Sequence, residues 1–341
     1  MLVFDADYRY KLPYRTGFIG FRAQAVEMPY EKGDIMPSAD GNAQSLSHFY
    51  DQLTTQFDRD KRILWCYLNP QPRPCFTPGL LEDLKKFLSV TRNLVTKERE
   101  AGRPSPVEYL AFGSYHPGIF SLGGDLGLFV DLIRANDRTA LTEYMKLSID
   151  VMHGIAVNVG LSLNTVAIIR GNAMGAGFEG ALACDTIVAE RQVQLGFPEV
   201  LFNMFPGMGA YSFLARRIEP TRVKQMILSG RIYTAEELYE MGVIDVLADK
   251  GDAIEAFLAY TKQHQKHRNT YHSLTRIRDR VQPVSYQELL DIGYLWVDAA
   301  LNLTDRELRT MERLVRAQTR LLSTGNDDDI LETVRRVGDA S

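Results

Sequence analysis

The sequence predicts an α/β fold whose first half alternates strands with helices and whose second half is mostly helical. Short runs of β-branched and aromatic residues, each followed by a loop and a helical pattern, indicate the parallel connections of α/β proteins. The 341 residues are about 45% apolar and 24% charged, an ordinary globular composition. That length suits a large core with a pocket, as one large domain with appendages or as two domains.

The first half contains the elements on which this prediction depends. Residues 62–68 have the composition of a buried strand, which a proline-rich stretch ends. Apolar residues follow at helical spacing from Pro78, and residues 107–112 form the next predicted strand. After a loop at 116–125, helices extend to about residue 157, and a third strand is predicted at 165–169.

The second half begins with a glycine-rich segment, residues 171–180, that leads into a short helix. Two short strands are predicted at 185–189 and 193–195, and the chain is mostly helical after Pro206. We expect three regions: an N-terminal extension of unassigned role at 1–45, a core at 46–260, and a helical region with an acidic tail at 261–341.

The charge balance argues against nucleic acid as a partner. The chain carries 43 acidic and 39 basic side chains, a formal net charge of −4, so it has no electrostatic reason to bind a polyanion. The N-terminus lacks the basic segment and apolar run of a signal peptide. Polar side chains and a turn interrupt the longest uncharged stretch, residues 151–169, so we expect no membrane span.

Cysteine and histidine usage predicts a cytoplasmic protein without a metal site. The three cysteines are odd in number and far apart, and none forms a CxxC pair, which argues against disulfides and a zinc knuckle. His264, His267 and His272 lack ligand spacing with a carboxylate.

Two glutamates are isolated among apolar residues. Glu179 is the one charged residue between Arg170 and Asp185, and Glu199 is the one charged residue between Arg191 and Arg216. Poor solvation raises the pKa of a carboxyl group, and a glutamate with a raised pKa can act as a general acid at neutral pH. A single such glutamate is more often a capping or surface-edge carboxylate, but two beside glycine-rich loops favour an acid/base pair.

The glycine-rich loops predict backbone donors for a ligand. Gly123 and Gly124 precede a helix, and Gly175 and Gly177 lie between a strand and a short helix. Glycines let backbone N–H groups converge on a ligand, and helix N-termini favour negative charge. Two such turns can form an oxyanion hole, in which loss of one donor costs about 2.7–4 kcal/mol of transition-state stabilisation.

A dinucleotide-binding fingerprint is the competing interpretation. Residues 175–180 match GxGxxG, and Glu199 lies at about the distance of the ribose-binding acid. However, the strand ends before the first glycine, the helix is short for a crossover unit, and the acid follows a proline in a loop. These features disfavour a nicotinamide cofactor.

Three ordered motifs resemble those of the crotonase superfamily (enoyl-CoA hydratase/isomerase) over roughly residues 60–260. Residues 119–125 resemble its first oxyanion loop, residues 170–185 its second, and residues 196–209 its P-E-x-x-x-G-x-x-P-G-x-G segment. The resemblance implies a crotonase fold, a core of repeated ββα units in a spiral with a C-terminal helical region. It also implies no cofactor and a homotrimer or hexamer formed through the C-terminal helices.

The resemblance also assigns roles by position. It makes the backbone N–H groups of Leu122 and Ala176 the oxyanion donors, although the family usually has alanine and glycine there. Glu199 would remove the C2 proton of an acyl thioester, and protonated Glu179 would donate to the departing C3 hydroxyl. Because many members lack one of the two glutamates, the presence of both favours water addition or elimination.

A narrower resemblance is to bacterial diffusible-signal-factor synthases, carried by residues 69–77, 120–126 and 177–182. That family dehydrates a 3-hydroxyacyl thioester on acyl carrier protein and hydrolyses it to a cis-2-unsaturated fatty acid signal. A CoA thioester substrate and a sensor kinase's receiver domain as partner are further expectations. The alternatives are a generic enoyl-CoA hydratase or isomerase of fatty-acid metabolism and a catalytically idle crotonase-fold interaction protein.

An acyl chain needs an apolar channel, for which ordinary core packing is the alternative at each position. Besides the four loop glycines, the candidates are Met174, Phe178, Leu201, Phe202, Met204, Phe205 and Trp296. The basic residues at 262–280 indicate either a solvated helix face or a docking patch for an acidic carrier protein or the phosphates of coenzyme A.

Overall fold

The computed structural model describes residues 36–37, 43–44, 50–116 and 118–324, which form three sheets, eleven α-helices and two short 3-10 helices. The strands are β1 (Met36–Pro37), β2 (Ala43–Gln44), β3 (Leu53–Asp58), β4 (Ile63–Leu68), β5 (Tyr109–Ser114), β6 (Ile119–Ser121), β7 (Asn164–Ile169), β8 (Asn172–Met174), β9 (Thr186–Glu190), β10 (Gln194–Gly196), β11 (Ile232–Thr234) and β12 (Val246–Ala248). The helices are α1 (Pro78–Glu100), α2 (Leu126–Arg134), α3 (Arg138–Ala156), α4 (Ala176–Leu182), α5 (Ala210–Leu214), α6 (Pro220–Ser229), α7 (Ala235–Glu240), α8 (Ala253–Lys266), α9 (Arg268–Val281), α10 (Tyr286–Leu301) and α11 (Asp305–Thr324). Most of the expected extension at 1–45, and the tail from residue 325, lie outside the described residues.

The larger sheet has six strands in the order β12-β9-β7-β5-β4-β3. All its pairs are parallel except β3 with β4. Every residue of β4 and β7 is buried, as expected for strands covered on both faces. The smaller sheet, in the order β11-β10-β8-β6, has parallel pairs except β10 with β11. Strands β1 and β2 form a third, two-stranded antiparallel sheet.

The chain repeats one unit as it alternates between the two large sheets. β5, β7 and β9 each lie in the six-stranded sheet, and β6, β8 and β10, which follow them, each lie in the four-stranded sheet. A helix comes after each of the first two pairs, α2 after β6 and α4 after β8. This is the repeated ββα spiral that the resemblance implied, and it places the ends of β6 and β8 side by side.

Local sequence explains where the first long helix begins. The Thr77 hydroxyl caps α1 by accepting a hydrogen bond from the Leu80 N–H at 3.1 Å, and Pro78 occupies the first helical position, where a missing N–H costs nothing. The apolar residues at helical spacing, including Leu84 and Phe87, are buried against the sheet.

Helices α8, α10 and α11 pack against the spiral. α10 packs on α3, α11 packs on α2, and α8 contacts β7, β9 and β12. Leu289, Val297, Met311 and Leu314 of α10 and α11 belong to the same buried cluster as the sheet residues. The C-terminal region therefore forms part of the walls around the first ββα units.

The strands predicted at 62–68, 107–112 and 165–169 are confirmed as β4, β5 and β7 within a residue or two. The predictions did not include β3, and they also left out the three-residue strands β6, β8, β11 and β12. Three residues are too few to show an alternating pattern, and these strands form because a neighbouring strand supplies their hydrogen bonds. None of the described helices is both long and apolar enough to cross a bilayer.

The basic run at 262–280 occupies α8 and α9, and part of it anchors α9 to the sheets. Arg278 forms an ion pair of 2.6 Å with Asp185 at the start of β9, and Arg268 forms one of 2.7 Å with Glu108 before β5. These two arginines are thus structural, which weakens the case for a docking patch in this run.

Candidate active site

An apolar cavity of about 50 Å³ lies beside the two glycine-rich loops and is lined by residues of five α-helices, α2, α3, α4, α10 and α11. That is space for a few water molecules. The acidic residues in its wall are Glu179 and Glu199. The other lining residues are mostly apolar: Gly124, Leu126, Phe129, Ile133, Tyr144, Met145, Ser148, Ala176, Phe202, Met204, Pro206, Gly207, Met208, Trp296, Ala300, Leu303 and Met311. Two carboxyl groups therefore face a low-dielectric space.

Glu179 lies in the first turn of α4 and is 1% exposed. Its Oε1 accepts hydrogen bonds from the backbone N–H groups of Met208 at 2.7 Å and Ala210 at 3.0 Å. Burial raises the pKa of Glu179 to about 7, while the backbone donors act in the opposite direction by stabilising the carboxylate. The Pro-Gly segment around Met208, predicted as part of the third motif, thus holds this side chain.

Glu199 lies in a short 3-10 turn, Pro198–Phe202, after β10. The residue as a whole keeps some exposure, but its Oε2 is closed off from solvent and has no hydrogen-bond partner in the described part of the chain. Burial, together with the nearby charge of Glu179, raises the pKa of Glu199 to about 8. The protonated form of Glu199 is therefore favoured near neutral pH.

The two glutamates behave as one coupled pair that shares a proton around neutral pH. Glu179 has backbone donors that stabilise its negative charge, whereas Glu199 has an oxygen without a partner. These contacts favour the carboxylate of Glu179 and place a proton shared by the pair on Glu199. This differs from the expected start of dehydration, in which Glu179 is protonated and Glu199 is the base.

The glycine-rich loops meet beside Glu199. A Cβ built on Gly123 would stand 3.1 Å from the Met174 oxygen and 3.6 Å from the Ala176 nitrogen. A Cβ on Gly175 would collide with the Glu199 carboxyl group. Both glycines have positive φ, 100° and 49°, so the close approach and the backbone conformation each require glycine.

Ala176, one of the two predicted oxyanion donors, begins α4 and lines the cavity. Its N–H belongs to the first helical turn, where the helix itself offers no acceptor. A thioester oxygen in the cavity could therefore accept a hydrogen bond from it.

The other predicted donor is already in use. The Leu122 N–H donates to the Pro74 carbonyl oxygen at 2.7 Å, next to a hydrogen bond of 2.8 Å from the Phe76 N–H to the Gly123 oxygen. The segment before α1 thus runs alongside the loop as a short parallel bridge. To donate a hydrogen bond to a substrate, the Leu122 N–H would have to share or break its bond to Pro74. The structure therefore differs from the expectation that both oxyanion donors are free.

A second cavity of about 40 Å³ adjoins the first at Gly124 and Glu199. Gly123, Gly175 and Met174 line its loop side, while Leu314, Ala317 and Gln318 of α11 line the other. The Gln318 side-chain amide donates to the Leu122 oxygen at 3.3 Å. Helix α11 therefore covers the glycine loops.

The predicted acyl-binding residues divide into two groups. Phe202, Met204 and Trp296 line the main cavity, and Met174 lines the second. Phe178 does not line either cavity, because its ring is fully buried and stacks on Phe197 at 4.9 Å. Leu201, which lies beside Gly230, and Phe205 are also outside both linings. Gly177 instead lets α4 approach Ser121 closely.

The sequence analysis missed the lining residues of α2 and α3. Phe129 and Tyr144 form an edge-to-face pair at 4.9 Å, and Phe129 also contacts Trp296 at 5.0 Å. The Tyr144 hydroxyl donates to the Phe76 oxygen at 2.6 Å. The prediction for this region is only that helices extend to about residue 157, and which of their faces borders a cavity depends on how α10 and α11 pack.

Neither cofactor nor metal chemistry is indicated by the residues present. Glu199 contacts the Gly175 loop inside the cavity rather than standing at a strand end for a ribose, and α4 is only 7 residues long. In the described ranges, no group of three or more histidine, cysteine, aspartate or glutamate side chains could hold a metal ion.

A family model for enoyl-CoA hydratase/isomerase matches residues 112–281, which span both glycine loops and both glutamates. The chain belongs to the crotonase superfamily. A probable enoyl-CoA hydratase of Mycobacterium avium is 31% identical over 175 residues, which are 51% of this chain and 65% of that protein. The chain thus matches somewhat under two thirds of the length of this relative.

Solved structures share the crotonase fold. A putative enoyl-CoA hydratase from Streptomyces avermitilis has a TM-score of 0.64 at 18% identity, covering 85% of this chain and 99% of that one. DspI of Pseudomonas aeruginosa has a TM-score of 0.54 at 22% identity, covering 81% and 97%. At these identities the likeness concerns the fold, and the chemistry rests on the site.

Proposed function

We propose that this crotonase-superfamily chain adds water to, or removes it from, the C2–C3 bond of an acyl thioester. The observation that carries the proposal is the coupled pair of buried glutamates, with pKa values raised to about 7 and about 8, in an apolar cavity. A carboxyl group and a carboxylate in one site supply the acid and the base for this reaction. The enoyl-CoA hydratase relatives support the same chemistry.

In dehydration, the C2–H bond breaks and its proton passes to the Glu199 carboxylate. The electron pair forms an enolate, whose oxygen accepts a hydrogen bond from the Ala176 N–H. The C2=C3 double bond then forms as the C3–O bond breaks, and Glu179 gives its proton to the departing hydroxide, which leaves as water. Closure of the cavity keeps other water away from the enolate.

Hydration of an enoyl thioester runs the same steps backwards and has a specific observation in its favour. It begins with Glu199 protonated and Glu179 ionised, which is the arrangement that the hydrogen-bond partners of the two carboxyl groups favour. Glu179 accepts a proton from the attacking water, and Glu199 delivers its proton to C2. A generic enoyl-CoA hydratase, which leaves the thioester intact, is therefore the second candidate function.

The finer proposal is a diffusible-signal-factor synthase, which hydrolyses the thioester after dehydration. The motifs at 69–77, 120–126 and 177–182 support it. Water attacks the carbonyl carbon, the C–S bond breaks, and the thiol leaves with a proton while the cis-2-enoic acid is released. Acyl carrier protein or coenzyme A as carrier, a trimeric or hexameric assembly and a receiver-domain partner are proposals from the same resemblance.

Turnover of a 3-hydroxydecanoyl thioester by the purified full chain tests both levels of the proposal. Glu179→Gln and Glu199→Gln should each lower kcat about 10²–10⁴-fold, because each removes one proton-transfer group, while Glu82→Gln on the exposed side of α1 should not. Near-normal turnover in either variant would contradict the glutamate roles. Mass spectrometry separates the outcomes, since an enoyl thioester alone indicates a hydratase and a free acid indicates the synthase.

A further inference from the structure

Helix α11 has two faces of opposite character. Its inner face carries Leu308, Met311, Leu314 and Ala317, all buried, and it closes both cavities beside the glycine loops. Gln318 on this face donates to the Leu122 oxygen. The inner face thus packs against the candidate active site.

The outer face carries a stripe of arginines. Five exposed side chains follow one another at intervals of three and four residues: Arg306, Arg309, Arg313, Arg316 and Arg320. In an α-helix this spacing places all five on one side. At 1.5 Å per residue the stripe is about 21 Å long.

Few acids neutralise this stripe. In the portion of the chain with defined coordinates, Arg306, Arg309 and Arg316 form no ion pair or side-chain hydrogen bond. Glu312 of the same helix pairs with Arg134 at 2.7 Å, and Glu307 caps the helix through Thr304. A chain of net charge −4 therefore presents a concentrated positive face over its candidate active site.

We infer that the outer face of α11 docks an acidic helix of the partner protein that delivers the acyl thioester. The inference rests on the proposed function, because it assumes that a thioester reaches the cavity. The glycine loops lie under α11, about one helix diameter, 10 Å, from the docked surface. A flexible linker from the partner then needs to pass only one helix to reach the glutamates.

The length of the arginine stripe and the composition of α11 favour an acidic protein surface over other anionic ligands. A single phosphate or pyrophosphate contacts two or three arginines, whereas an acidic helix can match charge along about 21 Å. A lipid surface would also need apolar side chains directed outward, whereas Leu308, Met311, Leu314 and Ala317 of α11 are buried on its inner face.

The test compares two triple variants of equal charge change. R306E/R309E/R316E alters the stripe, and K262E/K266E/R276E alters exposed side chains of the basic run on α8 and α9. R306Q/R309Q/R316Q removes the stripe's charge without introducing acids beside Glu312. Each purified full chain is assayed with 3-hydroxydecanoyl thioesters of acyl carrier protein, coenzyme A and N-acetylcysteamine, and its affinity for acyl carrier protein is measured directly.

The stripe variants should raise KM for the carrier-bound thioester and weaken carrier binding by about tenfold or more, with a smaller effect for the glutamine variant. KM for the N-acetylcysteamine thioester and all values for the control triple should stay near those of the unaltered chain. Added salt should weaken carrier binding by the unaltered chain but not by the stripe variants.

Several results would overturn the inference. An equal rise in KM for the CoA and carrier thioesters would indicate phosphate recognition, and an equal effect of the control triple would indicate general charge repulsion. Loss of binding to phosphatidylglycerol vesicles without loss of carrier binding would indicate a membrane surface. If no thioester is turned over, the proposed function fails, and carrier binding alone then decides whether docking occurs.

Discussion

At the scale of single residues, the two glutamates owe their different proton affinities to their oxygen partners. Both face the same cavity, yet one oxygen of Glu179 accepts two backbone hydrogen bonds, whereas the Oε2 of Glu199 accepts none. Removing such a group from water favours its neutral form. Burial raises the pKa of both groups; backbone donors oppose that shift at Glu179, and the charge of Glu179 adds to it at Glu199.

Burial of Glu199 predicts a pH-dependent loss of stability. Because its pKa in the folded chain, about 8, is above its ordinary value of 4.5, its contribution to stability is complete below pH 4.5 and is lost as pH rises through 8. Glu199→Gln should therefore lose less of its Tm between pH 5 and pH 9 than the unaltered chain, by several degrees.

Calorimetric or fluorescence melting at the two pH values measures this difference. Glu82→Gln on the surface is the control and should follow the unaltered chain. The same decrease in Tm for the unaltered chain and Glu199→Gln would show that Glu199 does not ionise in a buried site.

Gly175 is predicted to be essential for the position of Glu199. Gly175→Ala adds a methyl group where the Glu199 carboxyl lies, so activity should fall about 100-fold as that group moves. Gly160→Ala is the control, because its φ of +73° is also positive but no atom lies within 4 Å of the added methyl group. The control should lose about 1 kcal/mol of stability and keep its kcat, and loss of activity in both variants would contradict this role.

At the scale of elements, helix α9 is held by ion pairs, since none of its residues is buried. Arg278 contributes most, because its partner Asp185 has a side chain only 7% exposed. Burial raises the pKa of Asp185, and Arg278 opposes that shift. The arginine-rich sequence of α9 thus has two structural members, Arg268 and Arg278, among surface charges.

Removal of this cation should destabilise the fold. Arg278→Ala leaves a buried carboxylate without its partner, so the free energy of unfolding should fall by about 2 kcal/mol. Arg276→Ala, two positions away and exposed, should change it by less than about 0.5 kcal/mol. Urea denaturation measures both, and partial recovery in Asp185→Asn/Arg278→Ala would confirm the cause, whereas equal losses from the two single variants would not.

At the scale of the whole molecule, the cavity is assembled from distant parts of the chain. The glycine loops and glutamates come from the spiral core, Phe129 and Tyr144 from α2 and α3, and Trp296 from α10. The walls are mostly apolar, so the size of the cavity depends on how the helices pack. Substrate chain length is therefore a property of the assembled fold.

Trp296→Ala should enlarge this cavity and shift the preference toward longer acyl chains. The half-buried indole packs on Phe129 and closes one side, so its loss should cost about 2 kcal/mol of stability. A series of thioesters from four to twelve carbons measures kcat/KM against length. Leu295→Ala, 61% exposed, is the control, and an unchanged length preference in Trp296→Ala would exclude Trp296 from the acyl site.

The long elements were predictable because their signals are local. Helical spacing after Pro78 and the buried runs of β4 and β7 are contained in contiguous residues. The arginine stripe of α11 was equally visible at its three- and four-residue intervals, but the sequence analysis considered only the denser run at 262–280. The stripe is a candidate docking surface because the inner face of the same helix closes the candidate active site.

The sequence by itself determined the crotonase spiral and singled out Glu179 and Glu199 as candidates, because each motif lies within one short segment. Only the tertiary structure decided that the Leu122 N–H is bonded to Pro74 and that the unpartnered oxygen belongs to Glu199. It also decided which helices close the cavity. These outcomes depend on atoms that are far apart in the chain and compete for the same hydrogen bonds and space, so no local pattern encodes them.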